Sequence, residues 1–151
     1  MMSHMTYRYQ FTMFIVMIIV GMLFNPMNIL AFRFSDLYIS LTLFYGGLLM
    51  ASNMIWAHEI VNYLYTGHFN SGIFIFGIVL SASISLFLLR KQLFVRDDQW
   101  LRRMISHHST ALTTSKKLHE RTVDPELKQL ASEIIETQEK EITLMKSMLE
   151  R

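Results

Sequence analysis

Charge is confined almost entirely to the last two-fifths of this chain. Of fourteen basic and twelve acidic side chains, only Arg8, Arg33, Asp36 and Glu59 precede residue 90. A soluble domain cannot segregate charge in this way, because each surface helix needs a polar face toward water. A single soluble globular domain is therefore excluded, and the apolar content excludes a disordered chain. The charge boundary divides the chain into an apolar half and a polar half, each with its own reading.

Within the first half, three apolar stretches carry no charge beyond their edges: 11–32, 37–57 and 69–89. A helix of roughly 20 residues crosses a hydrocarbon core of about 30 Å. In lipid the backbone must satisfy its own hydrogen bonds, so each stretch is expected to be a transmembrane α-helix. The first is too long for a signal-peptide core, and no small-residue cleavage site follows it. Asn25, Pro26 and Asn28 should kink it or end it early. Gly46, Gly47, Ala51, Ser52 and Asn53 suit close helix packing in the second. None of the three stretches contains an ionisable group of the kind a pump or secondary transporter uses.

Residues 1–10 read as an N-terminal tail, 11–90 as a three-span membrane domain and 91–96 as a linker. Three crossings place Arg8 on one side and Arg33, Arg90, Lys91 and Arg96 on the other. The positive-inside rule then puts the C-terminal region in the cytoplasm. The loop between the second and third spans holds His58, Glu59 and His68 beside Trp56, Tyr63 and Tyr65. Interfacial anchoring by those aromatics explains the loop more simply than metal capture does.

Residues 97–151 read as an antiparallel amphipathic hairpin. Asp97 and Asp98 offer a cap and first-turn charge. Trp100, Leu101, Met104, Ile105, His108, Ala111, Leu112 and Leu118 then fall on one helical face. Asp124-Pro125-Glu126 is a strong signal for a second helix. That helix is expected to bury Leu127, Leu130, Ala131, Ile134, Ile135, Ile142, Met145, Met148 and Leu149. The few residues between the helices require them to run antiparallel.

Four polar residues interrupt the apolar faces: His107 and His108 on the first helix, Gln138 and Glu141 on the second. Folding the hairpin about residue 123 sets His108 opposite Gln138, Ile105 opposite Glu141 and Met104 opposite Ile142, one layer that also takes in His107 and Met145. One reading is a buried polar network that sets helix register. The other is a metal site, because thioethers select Cu(I) and imidazole also suits Zn and Cu(II). A di-iron centre lacks its Glu-x-x-His repeats. The zinc-protease His-Glu-x-x-His pattern is absent too. With no cysteine, disulfides and thiol chemistry are excluded. No nucleophile with a base is found, so the chain is not expected to be an enzyme. A net charge of +2 gives no case for nucleic acid.

The run Asp97-x-x-Trp100-x-x-x-Met104-Ile105-x-His107-His108-x-x-Ala111, then Asp124-Pro125-x-Leu127, then Ile134-Ile135-x-x-Gln138-x-x-Glu141-Ile142-x-x-Met145 resembles the bacterial domain-of-unknown-function family 305. The resemblance covers about a third of the chain. It implies a ferritin-like helical arrangement and an association with copper. Met104, His107, His108 and Met145 are then candidate metal ligands, joined by Glu141, with Gln138 and Asp97 in support. Trp100 stands where the family has phenylalanine, and Ser106 where a proline often precedes the histidine pair.

The combined expectation is an all-α protein with three transmembrane helices followed by one hairpin, half of a ferritin-like four-helix bundle. Two helices have too little core to stand alone, so a homodimer should complete the bundle. The implied location is a bacterial inner membrane. Exported members of the family would place the hairpin in the periplasm, against the charge count.

Overall fold

The computed structural model describes residues 7–151, whose regular structure is all helical, with no strand among them. They form α1 (Tyr7–Leu23), α2 (Pro26–Ile29), α3 (Leu41–Thr66), α4 (Ser71–Ser83), α5 (Asp97–Arg121) and α6 (Pro125–Leu149). A 3-10 turn spans Phe34–Asp36, and a π-helical segment, Ile84–Leu89, continues α4. Part of the expected tail lies outside the described residues. Tyr7 to Gln10 belong to the first turns of α1.

The chain folds into two compact units that do not follow its order. One comprises Met1–Leu23 with Thr42–Phe94, and the other Phe24–Leu41 with Val95–Arg151. The division falls where Asn25 and Pro26 were expected to end the first helix. Asn25 caps α2 with its side chain, accepting from the Asn28 N–H at 3.1 Å, and Pro26 occupies the first helical turn. Proline lacks the donor an unbroken helix would need there.

In the first unit, Gly47 lets α1 and α3 meet at van der Waals distance. A Cβ at Gly47 would lie 2.6 Å from the Ile18 carbonyl oxygen, and one at Gly21 2.9 Å from the Gly47 Cα. Gly77 does the same for α4, where a Cβ would meet the Trp56 backbone nitrogen at 2.9 Å. Gly46 faces open space, so only the second glycine of the pair serves packing. Inside the unit the Ser81 hydroxyl donates to Ser52 at 3.0 Å, and Ser52 donates to the Leu49 carbonyl at 2.8 Å. A hydrogen-bonded serine pair between helices satisfies groups that hydrocarbon could not.

Two helices among the described residues are long and apolar enough to cross a membrane: Arg8–Ile29 and Ser71–Leu89. The expected second span is not a third. Residues 37–40 are extended, and α3 starts at Leu41 and runs on to Thr66. It therefore carries His58, Glu59 and Asn62 beyond the apolar stretch. Reading hydrophobicity alone stopped at Ala57, whereas the helix continues to Thr66 through a buried Glu59. Its Oε2 accepts the Asn70 N–H at 3.1 Å, where the chain turns into α4. The apolar half is thus not free of ionisable groups within its helices.

In the second unit α5 and α6 pair over a core of Ile105, Leu112, Ile142 and Met145. Tyr38, Leu101, Met104, Ile135 and Leu149 pack around it. The Asp124 carboxylate caps α6, accepting from Glu126 N–H at 2.9 Å and Leu127 N–H at 3.2 Å. The expected cap on α5 differs. Arg96 holds the cap position without a side-chain bond, and Asp97 lies in the first turn, where its charge still meets the helix dipole.

The apolar stripes are wider than the core they share. Trp100 is 50% exposed, and Leu127, Leu130 and Met148 are also exposed, contrary to the expectation that all four face inward. Two packed helices cover only one seam of each other, so the flank of each stripe remains in solvent.

Candidate functional site

The histidine pair sits midway along α5, and its two rings have different surroundings. His107 is exposed, whereas His108 is half-buried, and their ring centroids are 5.8 Å apart. Successive residues on a helix point about 100° apart, so only one of an adjacent pair can face the partner helix. That residue is His108. Its Nδ1 lies 3.0 Å from the Glu141 Oε2 of α6. The approach is close but misaligned, leaving buried Nδ1 without a true hydrogen bond. The contact becomes an ion pair only when the imidazole is protonated.

Three groups set the protonation of His108. Burial disfavours the imidazolium and is the largest effect, and neighbouring His107 acts in the same direction. Glu141 opposes both, and the net result is a pKa below the usual 6.5. Near neutral pH the ring is therefore uncharged, the form that can bind a metal. The sign for stability follows. The unfolded chain binds the proton more readily, so folding becomes less favourable as pH falls below about 6.5 toward the depressed value. Metal-free protein should lose thermal stability over that window and hold it above. His108→Gln should flatten this part of the profile. A wild-type melting temperature unchanged between pH 7.5 and 5.5 would contradict the assignment.

The other layer residues divide by burial. Met145 is buried, and Met104 is half-buried against the same core cluster. Gln138 and Glu141 are half-buried. Asp97 is exposed at the start of α5, about 15 Å along the helix from His107 at 1.5 Å per residue. Among the described residues, no group of three or more histidine, aspartate or glutamate side chains is placed to hold a metal ion. A metal at this layer would have to draw on the methionines as well. By residue type alone, two thioethers and two imidazoles with one carboxylate are the donors a soft ion takes, and a carboxylate-bridged centre would need more carboxylates.

A second polar cluster lies in the same unit, built around Asp36, which is fully buried. The Ser109 hydroxyl donates to its Oδ2 at 2.7 Å, and the Lys146 Nζ meets its Oδ1 at 2.5 Å. The Ser106 hydroxyl donates to the Asp36 carbonyl at 2.8 Å. Around these contacts residues 27–41 are strapped onto α5. Thr110 donates to the Met27 carbonyl at 3.0 Å, the Phe32 N–H to Ser109 at 2.8 Å and the Leu41 N–H to Gln99 at 2.8 Å. The Lys116 Nζ also sits 4.0 Å above the Phe32 ring.

Sequence reading missed this cluster because its partners are 70 to 110 positions apart, which leaves no local periodicity. One signal was available. Asp36 and Glu59 are the only acids before residue 90, and both are buried. Ser106, the departure from the family's usual proline, supplies a hydroxyl that proline could not.

The comparisons with known proteins agree on the charged half. The family model described as Domain of unknown function (DUF305) matches residues 89–149. The chain is 37% identical over 126 residues to an uncharacterized protein, L153, of Acanthamoeba polyphaga mimivirus. That alignment spans 83% of this chain and 82% of the relative. It is about twice as long as the family match, so it extends into the apolar half. No solved structure matches.

Proposed function

Because the chain belongs to the family of unknown function DUF305, we propose that it is a membrane-anchored binder of a soft metal ion, with copper as the favoured ion. The observation that carries this is the half-buried His108, whose buried Nδ1 makes no aligned hydrogen bond and lies 3.0 Å from the Glu141 Oε2, in a layer where the only buried sulfur belongs to Met145. Met104, His107 and Glu141 complete the candidate ligand set. Gln138 lies on the same inward stripe, and Asp97 contributes only to the start of α5. The role is sequestration or tolerance without catalysis. When bound, the ion would be held by thioether and imidazole, which favour Cu(I).

Anchoring rests on the apolar helices. Phe11, Ile19, Leu23, Ile75, Phe76, Val79 and Phe87 are each at least half exposed along them. A continuous apolar belt of this kind needs lipid or protein to cover it. The lipid bilayer is the proposed partner of the two helices apolar enough to cross it, Arg8–Ile29 and Ser71–Leu89. The basic cluster Arg90, Lys91 and Arg96 after the second of them favours a cytoplasmic side for the hairpin.

The direct test is metal content after purification under reducing conditions. Wild type should retain copper, and the double variant His107→Ala/His108→Ala should lose it while keeping its helicity. A wild type that binds no copper would overturn the reading and favour a buried layer that only sets helix register.

A homodimer is also proposed, from the uncovered flank of α6. Leu127, Leu130 and Ile134, and after a ten-residue interval Leu144 and Met148, lie within about a 100° arc of α6, and Leu130 and Leu144 are about half exposed. A stripe of that width can form a helix-to-helix seam. A second copy offers the same self-complementary stripe and would complete a four-helix bundle. Leu130→Glu/Leu144→Glu should convert a dimer to a monomer, read by light scattering in detergent. A wild type that is already monomeric would contradict it.

A further inference from the structure

The membrane-side unit contains a cavity of about 650 Å³, within the range of small-ligand sites. Its wall is graded in polarity. Tyr9, Gln10, His58 and Glu59 lie at the end nearest the loop between α3 and α4, and Ala51 and Leu80 lie deeper. From Glu59 to Ala51 is eight residues of one helix, or about 12 Å of depth. Apolar side chains such as Met54 and Phe76 line the body between them.

Glu59 is the unusual member. It is 4% exposed, and its visible partners are the Asn70 N–H on Oε2 and the His58 Nδ1, 3.9 Å from Oε1 and outside hydrogen-bond range. Among the described residues, no lysine or arginine pairs with it. A buried carboxylate is costly unless paired. A cavity that is apolar along its length and carries one underpaired carboxylate at its end complements an amphiphile with a cationic head.

We propose that this cavity binds a membrane amphiphile bearing an ammonium group, the chain lying along α3 and the head at Glu59. The inference rests on the membrane reading above and is independent of copper. Two sources share the chemistry: the headgroup of an aminophospholipid and a free alkylammonium ion.

The test uses the full chain in nanodiscs of phosphatidylcholine doped equally with phosphatidylethanolamine and phosphatidylglycerol, with bound lipid read by native mass spectrometry. Wild type should retain phosphatidylethanolamine over phosphatidylglycerol. Glu59→Gln keeps an amide oxygen for the Asn70 N–H, and it should lower that preference about tenfold by removing one charged hydrogen bond. Met54→Trp should exclude the chain by filling the cavity. Displacement by dodecylammonium without retention of phosphatidylethanolamine would support the site and assign the free amine as its source. Equal retention of both lipids with no displacement by dodecylammonium would overturn the proposal, as would Glu59→Gln behaving like wild type. Carbonate extraction of the membranes reports anchoring separately. Protein released by carbonate would refute the membrane reading itself, and retained protein with no ammonium preference would refute only the cavity assignment.

Discussion

Replacing Lys146 with methionine should destabilise the hairpin unit by about 3–5 kcal/mol, the usual cost of stranding one member of a buried ion pair. Asp36 is fully buried, so without Lys146 its charge keeps only the Ser109 hydroxyl and the weak 3.5 Å contact with Ser35. The reverse change should cost less. Lys146 retains 27% side-chain exposure and can turn its ammonium to water when Asp36→Ala removes the partner. That variant mainly loses the hydrogen bonds that hold the strap, about 1–3 kcal/mol. Hydrogen exchange of the α5 amides in the full chain would read both effects. The double variant should recover much of the Lys146→Met loss, because the stranded charge is gone. Equal costs for the two single variants would show that the asymmetry in burial does not matter.

Copper affinity carries the second large effect. Met145→Leu is close to volume-conserving and should cost less than about 1.5 kcal/mol of stability, although Met145 is buried in the core. It removes the thioether, however. Loss of outer-shell partners typically lowers metal affinity 10–100-fold, so loss of a ligand atom should exceed about 100-fold for Cu(I). Zn(II) binding should change little, since zinc does not need thioether sulfur. Competition against a Cu(I) chelator measures this. A Met145→Leu protein with wild-type Cu(I) affinity would remove sulfur from the site and leave His108 as an isolated core histidine.

Local signals made much of the architecture legible. Asp124-Pro125 marked the start of α6 because capping and a fixed proline φ act within one turn. That His108 faces α6 followed from helix period and a short loop, but folding about residue 123 set it opposite Gln138, and in the structure it meets Glu141, three residues or about one turn further on. What was not legible came from distant pairings. Nothing near Asp36 in sequence shows that Ser109 and Lys146 will enclose it, so the strap of residues 27–41 could not be read. Nor could the extension of α3 to Thr66, since a buried glutamate interrupts hydropathy while its hydrogen bond to Asn70 sustains the fold. Trp100 was misplaced for another reason. A stripe drawn by 100° steps is wider than the seam one partner helix can cover, and the tryptophan lies on its edge.

The central claim is that imidazole and thioether converge on one soft ion in the α5–α6 layer. X-ray absorption at the copper edge of the full-length protein, loaded with one equivalent of Cu(I), tests it most directly. Both sulfur and nitrogen are expected in the first coordination shell, with the sulfur contribution reduced in Met145→Leu and the nitrogen contribution reduced in His108→Ala. A shell of nitrogen and oxygen alone, unchanged by Met145→Leu, would contradict it.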